Sequence, residues 1–227
     1  NSTILAAFDH TLHDIAAGLN LAPSKVNAYD FPEVGYDPSI FNESIVGEGD
    51  PVGSCFNDDG YRSKRTFISV GRLVPYKLPT LPIECFAKSS TLRANARLIV
   101  VGEGPERPAM EAIIKKHNLE SCVKMVGAQK QHTVARLMRA CDMFVFPSIR
   151  ELGAGVVVEA MACGLPVLAT DYGGPANLLA HGRGALVRLN DPISMRKSFV
   201  REMEKYSVPD VSADVMLKKL RDEAREY

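Results

Sequence analysis

The chain lacks most of the features that assign a protein quickly. No C-x-x-C occurs, and the five cysteines (Cys55, Cys85, Cys122, Cys141 and Cys163) are odd in number and scattered. That pattern argues against a disulfide framework or a structural zinc site. Reduced, mostly buried thiols of a cytoplasmic protein fit better. No apolar run approaches the roughly 20 residues of a membrane span, so any membrane association would be peripheral, at the inner face. The opening "NSTILAAFDHTLHDIAAG" has no basic n-region of a signal peptide and no Met, and a start inside a longer protein is the expectation. Charge of one sign is also missing. Lys+Arg and Asp+Glu both number 27, and the short "SKR" at Ser63 to Arg65 is no basic stripe, which excludes nucleic acid as a main partner. There is no G-x-x-x-x-G-K-[ST], no G-x-S-x-G and no H-E-x-x-H, so a P-loop ATPase, a nucleophile-elbow hydrolase and a zincin are excluded. His10 and His13 are spaced for one helix face without a third ligand nearby. His117, His132 and His181 stand alone, and all five read as structural.

What is present is ordinary in bulk and informative in order. With 227 residues, 46% hydrophobic and 24% charged, the chain holds one large domain or two small ones. Residues 1–62 read as irregular, with a short helix over Thr3 to Gly18 and then "YDFPEVGYDPSIFNESIVGEGDPVGS" as turns and linker. From Arg65 the pattern becomes regular. Apolar runs in "RTFISVGRL", "ARLIVVGEG", "CVKMVG", "DMFVFPS", "PVLAT" and "GALVRL" read as strands. Between them "LPIECFAKSSTL", "PERPAMEAIIKKHNL" with Pro105 at or near its first turn, "HTVARLMRAC", "GVVVEAMAC" and "GPANLLAHG" read as helices. "DPISMRKSFVREMEKY" and "SADVMLKKLRDEAREY" read as closing helices over 191–227. Continuous apolar strands alternating with helices predict a parallel sheet covered on both faces, the doubly wound, Rossmann-like α/β class, over 63–190.

Ligands of such sheets bind at the carboxyl ends of the strands. The segments there are "GRLVPYK", "GEGPER", "GAQKQ", "PSIRELGAG" and "TDYGGP". After Gly71, Arg72 and Lys77 flank a loop closed by Pro75. An Arg fork and a Lys point charge suit a diphosphate, although alone the two read better as surface charges. Gly102-x-Gly104 lacks the third glycine of a dinucleotide fingerprint, which is Arg107, and the acidic residue after the next strand. A nicotinamide site is therefore rejected in favour of a tight turn. In "RELGAGVVVEAMACG" a helix starts near Gly155. Its free N–H groups and positive end form an anion site, and Gly153 and Gly155 let a ligand approach the backbone. Glu159 falls one turn into that helix, where a carboxylate can bind a vicinal diol. Glu151 lies before the helix.

Together "ISVGRLVPYK", "LIVVGEGPER", "FVFPSIRELGAGVVVEAMACGLPVLATDYGGP" and "GRGALV" resemble the C-terminal, nucleotide-sugar-binding domain of the group 1 (family 4) retaining glycosyltransferases, the C-terminal half of a GT-B fold. The resemblance covers residues 62–200. It implies that Arg72 and Lys77 hold the donor diphosphate and stabilise the leaving nucleotide. It implies Glu159 on the ribose hydroxyls, Glu151 near the donor sugar, backbone N–H groups of Ala154 to Val156 on sugar and phosphate, and Val126 and Gly127 near the base. A nucleoside-diphosphate sugar would be the substrate, with no cofactor and no metal, and "NDD" at Asn57 to Asp59 falls in the linker. The acceptor, a sugar or a lipid-linked sugar, would be bound by a missing N-terminal domain of which residues 1–62 are the tail, so this chain alone is expected to bind donor and to be inactive. Rival readings are a non-catalytic nucleotide-sugar-binding domain and a nucleotide-sugar epimerase. Two departures stand out. Many relatives read E-G-F-G where this chain has Glu151-Leu152-Gly153-Ala154, and Leu78 stands where a glycine often follows the lysine.

Overall fold

The computed structural model describes residues 3–6, 27–30, 35–44, 49–56, 64–151, 153–209 and 211–225. Near the start, β1 (Thr3–Ala6) and β2 (Asn27–Asp30) pair in parallel, Thr3 opposite Asn27. The helix expected from Thr3 therefore begins instead as a strand, in which Thr3 and Ile4 are β-branched and favour extended backbone. The rest of that span, with His10 and His13, lies outside the described residues. Part of the expected linker is also ordered differently, as helix α1 (Pro51–Phe56). Asp50 explains it: its carboxylate accepts the Val52 N–H at 3.0 Å and Pro51 opens the first turn.

The expected strands form one sheet of β3 (Arg65–Val70), β4 (Ala96–Val101), β5 (Val123–Gly127), β6 (Met143–Phe146), β7 (Val167–Asp171) and β8 (Ala185–Arg188). All neighbours are parallel, in the order β5-β4-β3-β6-β7-β8. Chain order reverses between β3 and β6. Their outgoing loops part there and leave a crevice at the carboxyl ends.

Both faces of the sheet are covered, which is why β4 is buried at every position. Alternate side chains serve two cores. Phe67, Leu98, Val145 and Leu168 meet α2 (Thr80–Lys88), α3 (Ser90–Asn95), α4 (Arg107–Lys116), α8 (Pro192–Ser207) and α9 (Val211–Arg225). Ile68, Ile99, Phe144 and Val167 meet α1, α5 (Gln131–Ala140), α6 (Gly155–Ala162) and α7 (Gly173–Leu178). Phe67, Phe86, Phe144 and Phe199 are at most 1% exposed, and each contributes about 2–3 kcal/mol relative to an exposed ring.

Residues 35–44 lie against the second core. Phe41 is buried there, and Arg139 Nη1 donates to the carbonyls of Ile40 and Asn42 at 3.1 Å each. At the amino ends of the strands, Arg65 is held between Asp142, at 3.2 Å, and Asp214 of α9.

Two helix boundaries differ from expectation. The segment "LPIECFAKSSTL" is two helices broken at Ser89, whose Oγ accepts the Leu92 N–H at 3.0 Å and contacts Glu204 at 2.6 Å. A serine that finds such partners stops one helix and caps the next. Helix α4 begins at Arg107, so Pro108, rather than Pro105, occupies its first turn. Among the described residues no helix is long and apolar enough to cross a membrane.

Candidate active site

The loop leaving β3 is sewn to its neighbours before it reaches the crevice. The Gly71 N–H donates to the Val101 carbonyl at 3.0 Å, and the Gly102 N–H donates to that of Gly127 at 2.9 Å. Leu73 then exchanges bonds with the next loop, its N–H donating to Glu103 at 2.9 Å and its carbonyl accepting from Glu106 at 3.0 Å. A 3-10 turn over Pro75–Lys77, started by the proline, brings the chain back over β6. It delivers Lys77 Nζ to 3.0 Å from Glu151 Oε2, with the two side chains only 18% and 20% exposed. The ammonium also stands 5.3 Å from the centre of the Phe146 ring. Arg72 is exposed at the rim, where its Nη2 donates to the Tyr76 hydroxyl at 2.9 Å. The two cations predicted from the sequence therefore edge one crevice, Lys77 inside and Arg72 at the lip.

The loop leaving β6 is fixed from both sides. The Ile149 N–H donates to the Tyr76 carbonyl at 2.9 Å, and the Gly174 N–H donates to the Glu151 carbonyl at 3.2 Å. The Thr170 hydroxyl donates to the Ser148 carbonyl. Gly173 packs so closely that a Cβ there would lie 2.1 Å from the Glu151 carbonyl oxygen. The Gly173–Gly174 pair is thus the seat of Glu151.

Helix α6 starts at Gly155, as expected, with Ala154 as its N-cap in the left-handed region at φ 55°. No side chain caps it and its first turn holds no acidic residue. The amides of Gly155 and Val156 and the positive end of the helix are therefore available to an anion. Gly153 and Ala154 are buried beneath that start; Leu152 lies outside the described residues. Glu159 sits one turn on, half-buried, and burial alone lifts its carboxyl above the ordinary glutamate value.

Val126 and Gly127 end β5, two strands from β3, about 10 Å away at the usual strand spacing. A Cβ at Gly127 would come 3.0 Å from Glu103 Oε1, and Glu103 pairs with Arg107 Nη1 at 2.5 Å. Sequence reading missed Tyr76, Phe146 and Glu103. Tyr76, four residues after Arg72 and beside Pro75, carried the clearest local signal.

Larger clefts, of about 320 and 330 Å³, lie at the opposite end of the sheet beside Arg65, Asp142 and Asp214. The cavity lined by Gly71, Arg72, Lys77 and Phe146 is only about 10 Å³. Chemistry outweighs volume here. At the far end Arg65 is already neutralised by two aspartates, whereas the small cavity is lined by Arg72 and Lys77 where β3 and β6 end. The buried thiols offer no nucleophile, since burial pushes Cys85 up to about 12, Cys163 to about 11 and Cys141 well above the ordinary thiol value.

Comparison with known proteins points the same way. The family described as "Glycosyl transferases group 1" matches residues 59–208. The 2-deoxystreptamine N-acetyl-D-glucosaminyltransferase of Niallia circulans is 31% identical over 129 residues, 57% of this chain and 33% of that protein. The D-inositol 3-phosphate glycosyltransferase of Jonesia denitrificans is 27% identical over 192 residues, 82% of this chain and 41% of its own length. This chain thus spans well under half of either relative. Among solved structures, Anabaena Alr3699/HepE in complex with UDP superposes with a TM-score of 0.72 at 20% identity, covering 99% of this chain and 59% of the other. That likeness establishes the Rossmann-like fold of a GT-B half.

Proposed function

This chain belongs to the group 1 glycosyl transferases, and from that premise we propose that it is the donor-binding half of an enzyme that moves a sugar from a nucleoside diphosphate to a hydroxyl acceptor, with retention and without a metal. One observation carries the reading. Lys77, Arg72 and the uncapped start of α6 edge the crevice where strand order reverses, and Glu159 stands one turn behind that start.

In this reading Lys77 and Arg72 take the diphosphate, helped by the amides of Gly155 and Val156. As the bond to the sugar breaks, negative charge grows on the departing diphosphate, and fixed positive groups stabilise that charge more than the ground state. Two cations and a helix start supply the neutralisation that a metal would otherwise give, so EDTA leaves donor binding unchanged. Glu159 accepts hydrogen bonds from the ribose diol. Glu151 faces the sugar, and Val126 and Gly127 border the base. The acceptor, a sugar or a lipid-linked sugar, is bound across the cleft by an N-terminal domain.

The test is a thermal-shift panel of nucleoside diphosphates and nucleotide sugars. A ligand at a hundred times its Kd adds about 2.7 kcal/mol, which for a chain of this length raises Tm by about 5–10 °C. Calorimetry on Lys77→Ala then shows weakened binding of the same ligand. A panel without a single shift, or an unchanged affinity in Lys77→Ala, removes the diphosphate role.

A further inference from the structure

We infer that the Lys77–Glu151 ion pair lets this site tell a nucleoside-diphosphate sugar from the nucleoside diphosphate that remains after transfer, with Glu151 as the residue that sets the difference. The inference rests on the reading of Lys77 as a diphosphate ligand and adds to it.

Glu151 Oε2 is buried and makes no hydrogen bond, although Lys77 Nζ lies 3.0 Å away. The contact is therefore an off-line ion pair, and the ammonium is the charge that compensates this carboxylate. A diphosphate that draws Lys77 to itself takes that compensation away. It also brings its own negative charge towards Glu151. A largely buried carboxylate stripped of its partner is costly.

Glu151 has little freedom to retreat. Its carbonyl accepts from the Gly174 N–H and rests against Gly173, and the same loop is tied to Tyr76 through the Ile149 N–H. Relief has to come from the ligand. Hydroxyls of a sugar joined to the diphosphate are hydrogen-bond donors placed beside it, and O–H bonds to a carboxylate are among the stronger ones. A nucleoside diphosphate lacks them, because its ribose hydroxyls belong at Glu159, one turn into α6.

The donor thus replaces both halves of the pair, diphosphate for Glu151 at Lys77 and hydroxyls for Lys77 at Glu151. The product replaces only one. Such discrimination works by leaving a buried charge unpaired against the wrong ligand. After transfer Glu151 retakes Lys77, which favours release of the nucleoside diphosphate.

The experiment is calorimetry with two probe pairs, UDP with UDP-glucose and GDP with GDP-mannose, on the wild-type chain and on Glu151→Gln, Glu151→Ala and Lys77→Ala. Glu151→Ala guards against an amide of Gln that itself binds phosphate, and urea unfolding checks that each variant is folded. In the pair that the wild type binds, both Glu151 variants are expected to bind the nucleoside diphosphate about fivefold more tightly, and to bind the sugar conjugate no better than wild type, so that the preference for donor over product shrinks. Nucleoside-diphosphate affinity that stays equal or falls in the Glu151 variants overturns the inference, even when Lys77→Ala weakens binding as the diphosphate role requires. An unchanged affinity in Lys77→Ala instead overturns the diphosphate role, and the inference with it.

Discussion

Replacing Gly173 with alanine tests how the site is held. Gly173 has φ +62°, and a Cβ there would lie 2.1 Å from the Glu151 carbonyl oxygen and 3.3 Å from its carbon. Two costs combine. The left-handed backbone costs an alanine about 1 kcal/mol. The overlap is with backbone, so no side-chain rotation relieves it, and the contact must open by about 1 Å to reach even a close C···O distance. Moving α7 away breaks the Gly174–Glu151 hydrogen bond, 3.2 Å long, worth about 1 kcal/mol, and loosens the packing of Leu178, which is 6% exposed. The expected loss is about 3 kcal/mol, a fall in Tm of about 6–12 °C for a chain of this length. Gly182 is the control. It has φ +86° and nothing within 4 Å of a built Cβ, so Gly182→Ala carries conformational strain alone, about 1 kcal/mol. Urea unfolding of both variants, at a common m-value, reads the difference. Losses that agree within about 0.5 kcal/mol, near the usual scatter of surface substitutions, refute the idea that Gly173 is present because Glu151 presses on it.

Three further outcomes follow from the same geometry. Burial lifts the Glu159 carboxyl, so the folded state holds that proton more tightly than the unfolded chain, and stability falls as pH rises from the ordinary glutamate value through the raised one; Glu159→Gln therefore gains Tm over wild type at about pH 8 and loses that gain near pH 4, and a pH-independent difference contradicts it. Arg139→Ala removes two hydrogen bonds to the carbonyls of Ile40 and Asn42 and costs about 2 kcal/mol; hydrogen exchange at the Phe41 amide, bonded to Asp37 at 2.9 Å, accelerates in the variant, and unchanged protection there counts against the pin. Ala154→Gly relieves left-handed strain of about 1–2 kcal/mol and loses a buried methyl and unfolded-state order of similar total size, so its stability stays near wild type, whereas Ala160→Gly inside the same helix loses about 1.5 kcal/mol; equal losses in a urea comparison sink the strain account.

Much of the architecture was legible because both-faced burial writes strands as unbroken apolar runs. "ARLIVV" is buried at all six positions, with Arg97 the one charged residue among them. The place of the site was legible for a related reason, since glycines and charges gathered just after those runs. Partnerships across the sheet were not. Lys77 and Glu151 leave β3 and β6, and only the reversal of strand order makes those strands neighbours. Hydrophobic periodicity reports which face a residue takes and says nothing about which strand lies beside it. The break at Ser89 was hidden for the same reason, because the Glu204 that its hydroxyl contacts comes from α8. The seat of Glu151 on Gly173 is likewise a contact between loops of different strands.

The two departures from the group 1 pattern turn out to have one physical meaning. The resemblance leads one to expect glycine at the positions of Leu78 and Ala154, and both residues are left-handed here, at φ 45° and 55°. Each holds a backbone conformation that glycine makes easy, at a cost of about 1–2 kcal/mol. Burial offsets it. Leu78 packs against the first core, and Ala154 is 3% exposed in the second. Leu78 is also held in place locally, its N–H donating to Pro75 and its carbonyl accepting from Leu81, each at 3.0 Å. At both positions a residue with a side chain holds a left-handed turn that glycine adopts more easily. The amides at the start of α6 keep their direction because φ at Ala154 sets it. The proposed diphosphate site therefore needs a left-handed residue at position 154 and does not need that residue to be glycine.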